Sequence, residues 1–357
     1  MYKVCIIGCG MIANSAHIPA YRYFDSDFFI CAVCDFNKEI AADTANRHGI
    51  PAFYADAEEM LKKEKPDLVS VCAPNFMHGK YTRLALEYGA NVACEKPLAF
   101  SGAEAEELFN IAKQKGVFLT VCQTMRFTPD RLAAKRLIDG GKLGDIFYGD
   151  LTRVRRRGIP TWGKFHIKEY SGGGAFADIG VHMIDAVLWL MGNPKAKSVC
   201  ATCGKFFASE TGTLKESGAL TGDVRYKRPF NPDEMDVEDF SSGSILFENN
   251  ARVNFIVAWA SNLPEASDIR LSGTKGGIMI PQNCFIKGVD EISHFENDAM
   301  NYAGKPFQGH YYLFDNLRSV LKGKAELIVK PEETINVSKI IGGVYASAEA
   351  KKEILLG

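Results

Sequence analysis

Three short stretches of this chain hold side chains able to do chemistry on a small molecule. The first is Glu95-Lys96-Pro97, directly after the apolar run Asn91–Cys94. A residue before proline is driven to extended backbone, so Lys96 projects from a strand end instead of opening a helix. An ammonium there can hydrogen-bond a hydroxyl and stabilise negative charge developing on its oxygen. The second stretch carries Asp178 and His182, four residues apart behind Gly172-Gly173-Gly174. On a helix that spacing puts both on one face. An imidazole, with an ordinary pKa of about 6.5, suits a proton acceptor near neutrality. Each stretch also has a plain reading. A Lys-Pro pair marks many solvated turns, and Asp178 can be a helix cap with His182 a satisfied helix histidine.

The third stretch, Gly8-Cys9-Gly10-Met11-Ile12-Ala13, fits G-x-G-x-x-[G/A] between an apolar strand and a helix. That context is the one a dinucleotide fingerprint needs. Gly8 permits the tight turn, and Gly10 lets backbone approach a pyrophosphate at the helix N-terminus. Ala13 is small enough for close helix–strand packing. The second strand ends at Asp35, where an acid accepts hydrogen bonds from a ribose, favours NAD and repels the 2′-phosphate of NADP. Loops at the carboxyl ends of parallel strands bind ligands. Ala73, Pro74, Asn75, His78, Glu95 and Lys96 are therefore further candidates for cofactor contact. Substrate contacts are expected from Lys96, Asp178 and His182, and more weakly from Arg126, Arg157 and Trp162. Arg153, Arg155 and Arg157 alternate along an expected strand, so they share a face. There Arg157 or Arg155 could grip a carboxylate or phosphate, or the three could form a charged surface.

These residues need a frame to hold them. Strands are expected at Lys3–Gly8, Phe28–Asp35, Leu68–Ala73, Asn91–Cys94 and Val117–Cys122. Between them lie helices at Met11–Tyr23, Lys38–His48, Ala57–Glu64, Gly79–Tyr88 and Ser101–Lys115. Continuous apolar strands alternating with helices mean a parallel sheet covered on both faces. After about residue 123 the pattern becomes strands without intervening helices: Gly149–Arg155, Ala196–Cys203, Val237–Phe247, Arg252–Ala260, Asp268–Ser272 and Gly277–Ile280. That is the pattern of an open antiparallel sheet. Helices at Arg131–Asp139, Gly180–Met191, His310–Leu321 and Val337–Ala350 accompany it, and Glu210–Pro232 reads as an aperiodic excursion. The fold class is thus α/β followed by α+β, with domains at 1–123 and 124–357.

Composition narrows the function classes. The 357 residues carry 42 Lys+Arg against 43 Asp+Glu, a net charge of -1, which lacks the basic excess of a nucleic-acid binder. No apolar run reaches the ~18–20 residues of a membrane span, and no cleavable signal pattern follows the N-terminus. Six of the ten cysteines (Cys5, Cys31, Cys34, Cys72, Cys94 and Cys122) sit in apolar strand-like runs. That usage suits reduced core thiols in a cytoplasm. No set of metal ligands is expected.

Taken together, these motifs resemble the glucose–fructose oxidoreductase, inositol 2-dehydrogenase and MocA (Gfo/Idh/MocA) family. The resemblance extends through Asp236-Val237-Glu238-Asp239, Gly273–Gly277 and Pro331…Ala348. It implies an N-terminal Rossmann domain and a C-terminal domain with a large, mostly antiparallel open sheet, helices on one face of it. The other face would join copies into a homodimer or homotetramer. The resemblance also implies a cis Lys96–Pro97 bond, a packing role for Phe176, and Lys96, Asp178 and His182 as catalytic residues. The implied reaction is NAD-dependent oxidation of a secondary hydroxyl of a sugar, sugar derivative or cyclitol. Alternatives with the same fold are an NAD-using glycoside hydrolase and a non-catalytic NAD-binding sensor.

Overall fold

The computed structural model describes residues 1–209, 230–288, 291–297 and 302–357. Of the expected excursion, 210–229 lie outside the described residues. The chain opens with β1 (Tyr2–Ile7) and α1 (Ile18–Tyr23), then β2 (Phe28–Cys34) and α2 (Lys38–His48). Next come β3 (Ala52–Tyr54), α3 (Ala57–Glu64), β4 (Leu68–Val71), α4 (His78–Glu87), β5 (Asn91–Cys94), α5 (Gly102–Lys115) and β6 (Leu119–Val121). There follow α6 (Pro129–Asp139), β7 (Ile146–Val154), α7 (Lys168–Ser171), α8 (Val181–Leu190) and β8 (Ala196–Gly204). Strands β9 (Phe240–Phe247), β10 (Arg252–Ala258), β11 (Ala266–Gly273), β12 (Gly277–Ile280), β13 (Cys284–Lys287) and β14 (Glu291–His294) come next. The chain closes with α9 (Gln308–Leu321), α10 (Pro331–Ala350) and β15 (Ile354–Leu355).

Two compact units result. The described part of the first holds Met1–Thr124 and Tyr302–Ile335; that of the second holds 125–209, 230–288, 291–297 and Asn336–Gly357. Residues 302–335 therefore join the first unit, where a boundary at 123 alone would not put them. The physical reason is α9: its Phe314 ring stacks on Tyr21 of α1 at 4.2 Å between centroids.

The first unit is a six-stranded sheet in the order β3-β2-β1-β4-β5-β6, every pairing parallel. Its central strand is apolar on both faces, with Val4, Cys5, Ile6 and Ile7 at most 2% exposed, as helices on both sides require. The Asn37 side chain caps α2 by accepting from the Glu39 and Ile40 N–H groups, and Ser101 does the same for α5 through Glu104. The cysteines expected in core strands are all buried free thiols.

The second unit is a nine-stranded sheet in the order β14-β13-β12-β11-β7-β10-β9-β8-β15. It is antiparallel except at β7–β10, which run parallel. On its covered face Leu151 pairs with Phe255, both buried, and Phe176 packs on Phe255 at 5.0 Å between centroids. The helical run Lys168–Leu190 is by length and composition apolar enough to cross a membrane, yet most of it is buried inside the protein. It is the covering helix of the sheet's core.

Candidate active site

In the first unit the Gly-rich turn is built as a dinucleotide cradle. Gly8 has φ +95, and a Cβ there would lie 2.5 Å from the Cys72 carbonyl oxygen. Both facts exclude any other residue at low cost. A Cβ on Gly10 would meet nothing within 4 Å, so the turn's outer side is open where a pyrophosphate would lie. Met11 opens the helix and Ile12 and Ala13 continue it, Ala13 fully buried. The Asp35 carboxylate accepts from the Cys9 N–H and the Asn37 N–H, both at 3.0 Å. An ionised carboxylate has about four lone-pair sites, so two remain for ribose hydroxyls. The residues present therefore fit NAD. Ala73 and Asn75 are half-buried and Pro74 exposed at the end of β4.

Two of the expected cofactor contacts have buried side chains. His78 is 1% exposed, its Nδ1 lying 2.7 Å from the Pro97 carbonyl oxygen and its Nε2 2.8 Å from that of Ala73. Burial lowers its pKa below 6.5, although both carbonyls favour the protonated ring. The Glu95 side chain also turns inward. Its Oε1 accepts from His17 Nε2 and His310 Nε2, each at 2.9 Å, and the residue is 6% exposed. Burial opposes its charge, but the two imidazoles outweigh burial and hold the carboxyl well below the usual range. Both side chains are spent on the protein itself. Lys96, half-buried, follows Glu95, and its bond to Pro97 is cis.

In the second unit the Gly-rich run ends in a π-helical turn, Phe176–Gly180, that leads into α8. Such i→i+5 turns recur at functional sites. Through Gly173–Leu190 every residue is buried except Asp178, His182 and Trp189. The expected shared face of Asp178 and His182 is thus the part of this core helix that reaches solvent. Asp178 Oδ2 accepts from the Trp259 indole N–H at 3.0 Å. Arg153, in register with Val257 on the same sheet face, is brought down to about 10 by burial, then by Arg155 and Arg131, while Asp178 holds it up.

The Gly-rich run is anchored by Glu238, which accepts from the Gly174 and Phe176 N–H groups at 2.9 Å each and from the Tyr345 hydroxyl at 2.9 Å. A Cβ at Gly174 would lie 1.9 Å from the Glu238 carbonyl oxygen, so only glycine fits there. Burial raises the Glu238 pKa against these donors. Trp259, Glu238 and Tyr345 were not picked out as site residues, because no local spacing links them to Asp178.

Two of the expected substrate contacts, Arg126 and Arg157, bond to the protein itself. Arg126 is fully buried and grips Asp185 with two hydrogen bonds, Nε to Oδ2 at 2.6 Å and an Nη to Oδ1 at 2.5 Å. Arg157 donates to the Arg156 carbonyl at 2.6 Å, the Ser261 carbonyl at 2.9 Å and Asn262 Oδ1 at 3.1 Å, and lies over the Phe207 ring. It ties a loop instead of gripping an anion. Trp162 is half-buried beside Phe165, and its indole N–H is buried with no acceptor among the described residues.

A six-stranded parallel sheet with this cradle, followed by an α+β unit holding an aspartate–histidine pair, defines a dinucleotide-dependent oxidoreductase. Residues 2–123 match the family model described as an oxidoreductase family with an NAD-binding Rossmann fold, and 132–279 match the GFO/IDH/MocA C-terminal domain. The chain belongs to this Gfo/Idh/MocA family of NAD-binding oxidoreductases. It is 31% identical to the D-glucoside 3-dehydrogenase of Escherichia coli (strain K12), over 99% of this chain and 97% of that protein. It is 30% identical to the NADP(+)-dependent scyllo-inositol 2-dehydrogenase of Bacillus subtilis (strain 168), over 99% and 96%. Among solved structures, the WlbA dehydrogenase of Bordetella pertussis, in complex with NADH and UDP-GlcNAcA, superposes with a TM-score of 0.78. That match has 20% identity and covers 100% of this chain and 98% of that one.

Proposed function

We propose that this oxidoreductase uses NAD to oxidise a secondary hydroxyl of a sugar, sugar derivative or cyclitol, with Lys96, Asp178 and His182 as its catalytic residues. The observation that carries this reading is the core helix whose half-buried positions include Asp178 and His182. Burying a helix while leaving an acid and an imidazole accessible is the mark of a working face. In our reading 1–123 is the cofactor domain and 124–357, apart from the 302–335 segment that packs with the first unit, the substrate and oligomerisation domain; the family-model matches over 2–123 and 132–279 support the division.

When bound, NAD accepts the hydride that leaves the carbinol carbon. The turn of Gly8, Gly10, Met11, Ile12 and Ala13 holds the pyrophosphate on backbone N–H groups. Asp35 accepts from ribose hydroxyls, and its charge disfavours a 2′-phosphate. Backbone at Ala73, Pro74 and Asn75 lines the cofactor. Lys96 donates to the substrate oxygen and stabilises its negative charge. His182 takes the hydroxyl proton. Asp178, one oxygen already held by Trp259, orients a substrate hydroxyl or His182. The Trp162 indole N–H donates to a further sugar hydroxyl.

A D-glucoside oxidised at C3 heads the candidate substrates, on the strength of the relative that matches over nearly the whole chain. We place the enzyme in the cytoplasm, which its ten free thiols favour. A homodimer or homotetramer would join through the sheet face that carries Tyr148, Asp150, Thr152 and Asn254, all at least partly exposed. The test is NADH formation, followed by absorbance, across D-glucosides, cyclitols and sugar acids. NADH from a neutral glucoside or cyclitol, lost by at least about 10²-fold in His182→Ala, is the expected result. Release of an aryl aglycone without NADH would instead mean a hydrolase, and no reaction with any substrate would mean a sensor.

A further inference from the structure

Lys96 Nζ has no use unless the backbone that carries it is fixed, and the first unit devotes an unusual set of buried groups to that end. Glu95 Oε1 is bonded at 2.9 Å by His17 from the first helix and at 2.9 Å by His310 from α9. Glu95 Oε2 accepts the Lys96 N–H at 3.3 Å. His17 is oriented in turn, its Nδ1 lying 2.9 Å from Ser70 Oγ, which is 2.7 Å from the Tyr21 hydroxyl. One proton arrangement satisfies the whole chain. Tyr21 donates to Ser70, Ser70 to His17 Nδ1, and both imidazole Nε2–H groups donate to the carboxylate. On the other side of Lys96, the Pro97 carbonyl faces His78 Nδ1 at 2.7 Å. The Lys96 N–H is thus tied through the Glu95 carboxylate to His17 and His310, and the Pro97 carbonyl, one peptide beyond Lys96, faces His78, the three buried histidines coming from separate helices.

We propose that Glu95, gripped by His17 and His310, is a positioning residue that fixes the Lys96 backbone so that its ammonium meets the substrate oxygen. The proposal rests on the reading of Lys96 as the group that holds that oxygen. Burying a carboxylate is costly unless something uses it, and packing alone would be served as well by an apolar residue. A metal is the rival occupant, since His17, Glu95 and Cys122 offer ligand atoms within 4.8 Å of one another. The distances favour hydrogen bonds. Oε1 sits at hydrogen-bond length from both nitrogens, while Cys122 Sγ lies 4.0 Å from His17 Nε2.

The experiment compares His310→Leu, His310→Gln and Glu95→Gln in the full-length protein. His310→Gln keeps an N–H donor, whereas His310→Leu does not. The first readout is amide hydrogen exchange at Lys96 without cofactor. We expect exchange at least about 10-fold faster in His310→Leu and Glu95→Gln, with His310→Gln close to wild type. The second readout is kinetic, on the best substrate of the panel above. Turnover should fall about 10–10²-fold in His310→Leu, with KM for NAD changed less than about 3-fold, and recover in His310→Gln. Equal effects of Leu and Gln, or unchanged exchange in Glu95→Gln, would overturn the proposal, and Glu95→Gln remains decisive if His310→Leu does not fold. Stoichiometric zinc in the purified protein would also overturn it. Lys96→Met separates the two readings. If it keeps turnover, the role of Lys96 itself is wrong; if it is inactive while the three variants behave as wild type, only the positioning role fails.

Discussion

Arg126 and Asp185 allow a quantitative test of whether a buried arginine near the Gly-rich helix is structure or binding site. Their side chains are 0% and 1% exposed, and two hydrogen bonds join them. Removing one partner leaves an uncompensated buried charge, which costs about 3–5 kcal/mol. For a unit of this size, about 2–4 °C of Tm per kcal/mol makes Arg126→Met and Asp185→Leu each melt about 10 °C lower. Replacing both partners with apolar residues of similar volume is often neutral. Arg126→Met/Asp185→Leu should therefore recover to within about 2 kcal/mol of wild type, a strong coupling in a double-mutant cycle. If the pair is structural, the folded double variant also keeps its substrate KM within about 3-fold. The assays are thermal unfolding of all four proteins and initial rates across substrate concentration. A single variant that melts within about 2 °C of wild type would refute the reasoning. So would a folded double variant whose KM rises about 10-fold.

Other outcomes follow from the same geometry. Trp259→Phe removes the indole N–H that holds Asp178 Oδ2; turnover should fall about 10-fold with little change in Tm, read by steady-state rates and melting. Gly8→Ala forces φ +95 on an alanine and puts its Cβ 2.5 Å from the Cys72 carbonyl oxygen, so NAD binding by calorimetry should be lost or nearly so. Burial lowers the pKa of His17 and of His78 below 6.5. Their contribution is therefore present above pH 6.5 and lost as pH falls from there toward their folded values, because the unfolded chain binds more protons. Urea midpoints at pH 7.5 and 5.5 should show that loss, and His78→Gln should flatten it.

What was readable in the sequence was local. The strand–turn–helix at Gly8–Ala13 and the apolar strand of Asn91–Cys94 need only near neighbours, and their elements match within a residue or two. The π-turn at Phe176–Gly180 has no spacing signature, because one wide hydrogen bond differs from an ordinary turn by a single residue. The parallel β7–β10 pair and the edge strand β15, which pairs with β8, depend on distant partners. Helix α10 begins at Pro331, six residues before Val337, because proline suits a first helical turn. The side-chain partners of Glu95, His78, Arg126 and Arg157 were illegible for one reason. A position at a strand end or domain junction says where a backbone goes, whereas a side chain's direction depends on partners such as His310, Pro97, Asp185 and Ser261, three of them remote in sequence.

The bond between Glu95 and His310 spans 215 positions of chain. A ribosome emits residue 95 long before residue 310. The nascent first unit, however complete its sheet, therefore waits through the synthesis of most of the second with its key carboxylate ungripped and Tyr21 without the ring of Phe314. The first unit is consequently complete only once α9 has been made. Residues 302–335, made late, close the first part made, and a stop codon near residue 300 would strip His310 and Phe314 from the first unit and Tyr345, the anchor of the Gly-rich run, from the second.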